Sequence, residues 1–189
     1  MTHLVLLAGP SGGGKSRLAR LAGALPVRLD DFYRDADAPG LPCAHGIIDW
    51  DDPATWDGDG ALEALRALLQ EGVAVVPTYS IAQSRRVGEH TLEVGEHRLI
   101  VAEGIFALDL LPLLREAGLP VSAVYLDRNR WLVAGLRLRR DLAQHRKSPG
   151  VLVRRGWSLL CAQPRQRQRA LAAGFRPLSM RAALDELAD

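Results

Sequence analysis

Cysteine is almost missing from this chain of 189 residues: only Cys43 and Cys161 occur, with no CxxC and no paired spacing. A disulfide framework is excluded on that count, and a reduced cytoplasmic setting is expected, with both thiols structural. No apolar run approaches the ~20 residues of a membrane span. The apolar start at residues 4–8 is too short for a signal-peptide core, so no membrane partner is expected. His3, His45, His90, His97 and His145 show no metal-ligand spacing. Lysine is scarce too: among 24 lysines and arginines, only Lys15 and Lys147 are lysine. Acids are unevenly placed. Asp30, Asp31, Asp35, Asp37, Asp49, Asp51, Asp52, Asp57, Asp59 and Glu63 crowd one stretch, while no acid occurs from Leu142 to Leu184. A basic tail of that kind fits nucleic acid or polyphosphate. There is no internal repeat and no low-complexity linker, and the length suits one domain.

What is present begins at Gly9-Pro10-Ser11-Gly12-Gly13-Gly14-Lys15-Ser16, which fits the P-loop pattern G-x-x-x-x-G-K-[ST]. It follows the apolar run Leu4-Val5-Leu6-Leu7-Ala8 and precedes a helix-prone stretch. Backbone N–H groups of such a loop turn inward around an anion. Lys15 reaches the terminal phosphates, and the Ser16 hydroxyl can ligate Mg²⁺. A lysine kept here in an arginine-rich chain fits the need for a compact point charge. ATP and Mg²⁺ are therefore the expected cofactors.

Five apolar runs read as buried parallel strands, at residues 3–8, 26–29, 73–76, 98–102 and 121–126. Helical patterns cover 15–25, 59–71 and 108–117, with Asp59 as N-cap and Gly72 as terminator of the second. Residues 87–94 suggest a small hairpin. The tail reads as helices at 130–145, 151–162, 165–173 and 179–188, punctuated by Pro149-Gly150, Pro164 and Gly174. The whole is expected to be a single α/β domain with a doubly wound five-stranded parallel sheet. A lid and its following helix span 128–155, and a helical tail spans 165–189.

In such a sheet, ligands bind beyond the carboxyl ends of the strands. Those ends carry the P-loop, then Asp30-Asp31-Phe32-Tyr33-Arg34, Pro77-Thr78-Tyr79, Glu103-Gly104 and Asp127-Arg128. Glu103 stands where a Walker B carboxylate would hold Mg²⁺. Asp30 or Asp31 is the candidate base for a substrate hydroxyl, and spacing does not choose between them. Arg137, Arg140 and Arg146 lie on or just past one helix, with Trp131, Gly135, Leu138 and Leu142 as its opposite, apolar stripe. Arginines so placed could neutralise charge on a transferring phosphoryl.

These residues resemble the uridine kinase (uridine–cytidine kinase) family, in the wider group with phosphoribulokinase and pantothenate kinase. The likeness covers residues 4–164. It rests on Gly9 to Ser16, Asp30-Asp31-Phe32-Tyr33, Trp50-Asp51-Asp52-Pro53-Ala54-Thr55-Trp56-Asp57, Pro77-Thr78-Tyr79 with Arg86, Glu103-Gly104-Ile105, and Arg139-Arg140-Asp141 with Arg146. It implies a P-loop kinase fold with a helical lid. It selects Asp30 as catalytic, with Lys15, Arg140 and Arg146, and places ATP on Gly9, Ser11, Gly12, Gly13, Gly14, Lys15, Ser16 and Arg137. Mg²⁺ would sit on Ser16 and Glu103, beside Asp30. The acceptor would meet Tyr33, Asp51, Tyr79, Ser84, Arg86 and Arg137. The implied reaction is phosphoryl transfer from ATP to the 5′-hydroxyl of a pyrimidine nucleoside. The chain departs from the family in the acceptor pocket, where Ser80 and Ser84 replace an aspartate and a base-contacting histidine. A different hydroxyl metabolite (a sugar, a vitamin precursor, a modified nucleoside) is therefore an open alternative. So is a P-loop ATPase or switch with a nucleic-acid partner, although nucleic acid is not the expected partner. Self-association is left open.

Overall fold

The computed structural model describes residues 2–44, 46–143 and 149–188, with the side chains of 140–143, 149–159 and 188 outside that description. Strand β1 (His3–Ala8) is an apolar run buried from Leu4 onward. It is followed by α1 (Lys15–Leu21), and then by β2 (Leu25–Arg28), which passes into a short 3₁₀ turn at Leu29–Phe32. Strand β7 (Leu99–Glu103) pairs with β2 in parallel, setting Arg28 opposite Glu103. Strands β8 (Ser122–Leu126) and β9 (Arg176–Leu178) also pair in parallel. The five-stranded sheet has the order β2-β7-β1-β8-β9, and helices flank it, as an α/β P-loop fold requires.

One member of that sheet differs from expectation. The apolar run at 73–76 lies in β5 (Val73–Ser80), which pairs antiparallel with β6 (Arg85–Glu93) in a separate hairpin. Val73 is 40 % and Val75 61 % exposed, so the run is not covered on two faces. Pro77 lacks a ladder donor and the register slips between Thr78 and Tyr79, features of a marginal strand rather than a central one. The fifth place goes to β9, whose Arg176-Pro177-Leu178 carries no apolar signal. The long segment before α2 (Gly58–Gln70) holds a second small hairpin, β3 (Cys43–Ala44) with β4 (Ile47–Ile48), and a 3₁₀ turn at Pro53–Thr55.

Helix α2 is capped by Asp57 rather than Asp59: the Asp57 carboxylate accepts from Gly60 N–H at 3.0 Å. It ends where Gly72 N–H donates to Ala67 O. Helix α3 (Ala107–Glu116) buries Leu110, Leu111 and Leu114. In the tail, α4 (Arg130–Ala143) is followed by a single helix α5 (Pro149–Ala172), then by α6 (Met180–Ala188). Pro164 does not divide α5 as expected. A proline inside a helix costs ~3 kcal/mol, which continued packing on both sides of it offsets: Leu160, Gln163 and Ala170 are all buried.

Packing groups the chain into two compact units. One comprises Met1–Leu6 and Gly23–Ser122; the other comprises Leu7–Ala22 and Ala123–Asp189. Among the described residues no helix is long and apolar enough to cross a membrane.

Candidate active site

The unit holding Leu7–Ala22 carries the P-loop. Gly13 N–H donates to Pro10 O at 2.9 Å, closing the loop into a turn. Lys15 folds back over it, with Nζ donating to Gly9 O at 3.1 Å. Ser16 follows in the first turn of α1 and is exposed. Gly12 has φ +77°, and a Cβ there would lie 3.3 Å from Arg137 Cβ and 3.6 Å from Arg137 Cα. Both the conformation and the close approach of α4 call for glycine.

Arg137 itself is only 6 % exposed. Its guanidinium donates to Ser11 O twice, from Nε at 3.1 Å and from Nη2 at 2.6 Å. This reverses the expected phase of α4. Val133 and Arg137 face inward, while Trp131 is 58 % and Leu138 43 % exposed. The surface that α4 covers is loop backbone, which needs a donor, and a guanidinium supplies one where an apolar side chain cannot. At the end of β8, Asp127 accepts from Arg167 Nε at 2.9 Å and Arg128 O accepts from Gln163 Nε2 at 2.9 Å, fastening α5 there. Burial, then the Asp127 carboxylate, pushes the Tyr125 phenol up to about 12, so it stays protonated. The Arg140 side chain and the whole of Arg146 lie outside the described residues.

The other unit carries the remaining candidates. Beyond the Arg28–Glu103 pair the two strands turn at Asp30 and Gly104. A Cβ on Gly104 would lie 2.7 Å from Leu29 Cβ and 3.0 Å from Asp30 Oδ1. The missing side chain is what lets the Asp30 carboxylate settle against Gly104, the residue that follows β7. Asp31 points elsewhere: it is buried, with Oδ1 3.7 Å from Arg28 Nη2.

Tyr33 sits in an aromatic cluster. Its ring meets Trp50 edge-on at 5.4 Å, Phe106 edge-on at 5.4 Å and Tyr79 at 5.5 Å, and Phe106 stacks on Trp56 at 5.1 Å. Polar tips are satisfied. Tyr33 Oη donates to Trp50 O at 3.0 Å, Trp56 Nε1 to Leu29 O at 2.9 Å, and Tyr79 Oη to Arg34 O at 3.3 Å. Burial, then the fields of Asp30 and Asp51, raises the Tyr33 phenol far above its ordinary range. Tyr33, Asp30 and Asp51 therefore share one electrostatic environment. Burial followed by Asp35 raises Tyr79 as well.

Arg86 reaches Asp57, Nη2 to Oδ2, at 2.7 Å. Burial opposes ionisation of Asp57, but the hydrogen bonds from Arg86 and Gly60 N–H outweigh it and hold the carboxyl below its ordinary range. Two backbone-centred bonds pin the hairpin: Arg86 N–H donates to Asp35 Oδ1 at 2.6 Å, and Ala36 N–H donates to Ser84 O at 2.9 Å. Nearby, Arg34 N–H donates to Thr55 O at 2.8 Å. Ser84 has φ +49°, the one non-glycine residue with positive φ among those described.

Asp30, Tyr33, Asp51, Tyr79, Ser84, Arg86 and Glu103 thus fall in one unit, and Gly9 to Ser16 with Arg137 in the other. Asp57, Arg34, Asp35 and Phe106 are structural partners that sequence reasoning missed. Only Asp57, standing directly before a helical pattern, carried a readable signal. Among the described residues no three acidic, histidine or cysteine side chains form a protein-built metal cage. Magnesium needs none, because it binds through one or two protein oxygens together with phosphate oxygens. Glu103 and Asp30 in one unit, and Ser16 in the other, each carry a hard oxygen of that chemical type.

No protein-family model matches the chain. It is 35 % identical over 119 residues to the inorganic pyrophosphatase TTM1 of Arabidopsis thaliana, covering 59 % of this chain and 17 % of that protein. TTM2 of the same plant is similar, and the chain spans about a sixth of the length of these relatives. It is 29 % identical over 155 residues to uridine kinase of Staphylococcus aureus, covering 79 % of this chain and 71 % of that enzyme. Among solved structures it resembles a protein of Silicibacter sp. TM1040, provisionally assigned as a fructose transport system kinase. The TM-score is 0.64 at 21 % identity, over 94 % of this chain and 88 % of that one. The chain therefore has the α/β fold of P-loop kinases, with a uridine kinase as a sequence relative.

Proposed function

We propose that the chain is an ATP- and Mg²⁺-dependent kinase that phosphorylates a hydroxyl group of a small metabolite. The observation that carries this reading is the placement of Asp30 against Gly104, immediately after Glu103, in the same unit as the Tyr33 aromatic cluster. A carboxylate at a strand end beside an aromatic pocket suits a base that orients an alcohol. The P-loop supplies the donor side.

In this reading Lys15 and the N–H groups of residues 12–16 hold the β- and γ-phosphates. Asp30 takes the hydroxyl proton as the acceptor oxygen bonds to phosphorus and the bond to the β-phosphate oxygen breaks, leaving ADP. Ser16 and Glu103 would hold Mg²⁺, which when bound offsets the charge of the phosphate oxygens. Arg140 and Arg146 stabilise the transferring group. Tyr33, Asp51, Tyr79, Ser84 and Arg86 line the acceptor side. The first candidate acceptor is the 5′-hydroxyl of uridine or cytidine, which the Staphylococcus aureus relative supports.

A second reading keeps the kinase and changes the acceptor to a sugar, a vitamin precursor or a modified nucleoside. Ser84 favours it. In place of a base-contacting imidazole stands a short hydroxyl on a left-handed backbone whose carbonyl is tied to Ala36. A pocket that loses a hydrogen-bonding partner loses much of its discrimination for the old ligand.

A coupled ADP-release screen with Mg²⁺ over nucleosides, sugars and vitamin precursors separates the two. Release driven by uridine or cytidine supports the first reading, and release driven only by another alcohol supports the second. ADP release that ignores every alcohol and rises with DNA or RNA overturns both.

A further inference from the structure

In a phosphate-binding loop, function depends on which way each peptide points. A trans peptide is planar, so its C=O and N–H point to opposite sides. The peptide joining Ser11 to Gly12 is gripped by its oxygen, which receives two donors from the buried Arg137 guanidinium at 3.1 and 2.6 Å. Helix α4 presses against the other half of the same peptide unit, where a Gly12 Cβ would meet Arg137 Cβ at 3.3 Å. We infer that Arg137 is a positioning residue for the donor nucleotide. By drawing the Ser11 carbonyl toward α4, it turns the Gly12 N–H the opposite way, into the phosphate cradle. It acts through this peptide rather than by touching phosphate. The inference rests on the proposed role of the P-loop as the ATP site.

A single ammonium cannot copy a planar two-donor fork. Arg137→Lys keeps the charge and loses the grip, whereas an arginine acting on phosphate through its charge alone would be replaced by that lysine. A fluorescent ADP analogue with Mg²⁺ serves as the probe, titrated against the full chain. Arg137→Lys and Arg137→Met should both raise Kd about tenfold, the effect of losing a charge-assisted hydrogen-bond pair. The salt dependence of binding should stay as in the wild type, because no phosphate contact is lost. Val133→Ala loosens the same buried face of α4 without touching the grip. It should lower the melting temperature and leave Kd within about twofold.

Wild-type affinity in Arg137→Lys overturns the inference, and so does an equal loss in Val133→Ala. If the arginine variants do not fold, amide exchange of Gly12 in the wild type decides. The exchange should slow when the ADP analogue binds, and unchanged exchange overturns the inference. A wild-type chain that binds no nucleotide overturns the kinase reading instead, which keeps the two failures distinct.

Discussion

Gly104→Ala is the sharpest test of how the acceptor half is assembled. The added methyl would stand 2.7 Å from Leu29 Cβ and 3.0 Å from Asp30 Oδ1. Carbon atoms in contact prefer ~3.5–4.0 Å, so a neighbour must retreat by about 1 Å. Leu29 has little room: it is fully buried, and its carbonyl accepts the Trp56 indole N–H at 2.9 Å. Overpacking of this kind costs about 1–3 kcal/mol. Asp30 moves more easily, at the expense of its aim, and a 1 Å misplacement costs about 10²-fold in turnover. The variant should therefore unfold at lower urea concentration, bind a fluorescent ADP analogue normally and release ADP about a hundredfold more slowly. Urea denaturation followed by tryptophan fluorescence reads the first effect, and the coupled assay reads the last. An unchanged midpoint together with unchanged turnover would refute the packing argument. A lowered midpoint with full turnover would refute the role of Asp30.

Asp30→Asn should abolish phosphoryl transfer and leave nucleotide affinity within about twofold, since every P-loop residue is intact; an active Asn variant sinks the base assignment. Arg86→Met should raise the Asp57 pKa, readable by NMR titration. Because the folded-state pKa of Asp57 is depressed, the pair stabilises the fold above the unfolded value near ~3.9, and this is lost as pH falls through the folded value. Asp57 and Arg86 side chains are 36 % and 41 % exposed, so solvent screening keeps the contribution below about 1 kcal/mol. An acid-unfolding profile identical in wild type and Arg86→Met would remove the pair from the account. Phe106→Ala should cost about 3–5 kcal/mol, because the ring is 1 % exposed and packs on both Tyr33 and Trp56; a loss under 1 kcal/mol in denaturant would show that the cluster collapses around the gap.

Much of this was legible because it obeys local rules. The P-loop spacing, the apolar runs of β1, β7 and β8, and the period of α2 and α3 all specify what the chain adopts. Three features broke those rules. Strand β9 has three residues, one a proline and one an arginine, and exists because the edge of β8 offers it a ladder. Strand β5 reads as a core strand, yet Pro77 and the slip after Thr78 leave it in a hairpin. Helix α4 buries an arginine where the pattern placed a tryptophan and a leucine, since its partner is a carbonyl of the loop rather than apolar side chains. The choice between Asp30 and Asp31 was closed to spacing, because adjacent residues differ only in the direction the 3₁₀ turn gives them. Packing supplies that direction, through Gly104 on one side and Arg28 on the other.

The compact unit that bears the P-loop is assembled from two distant stretches, Leu7–Ala22 and Ala123–Asp189. During synthesis Gly9 to Ser16 emerge first, yet Arg137 and the β9 edge appear more than a hundred residues later. The intervening hundred residues, by contrast, are nearly a unit to themselves and can consolidate as they leave the ribosome. The loop thus receives its two bonds from Arg137 only after the intervening unit has been made, although its own residues are translated before that unit.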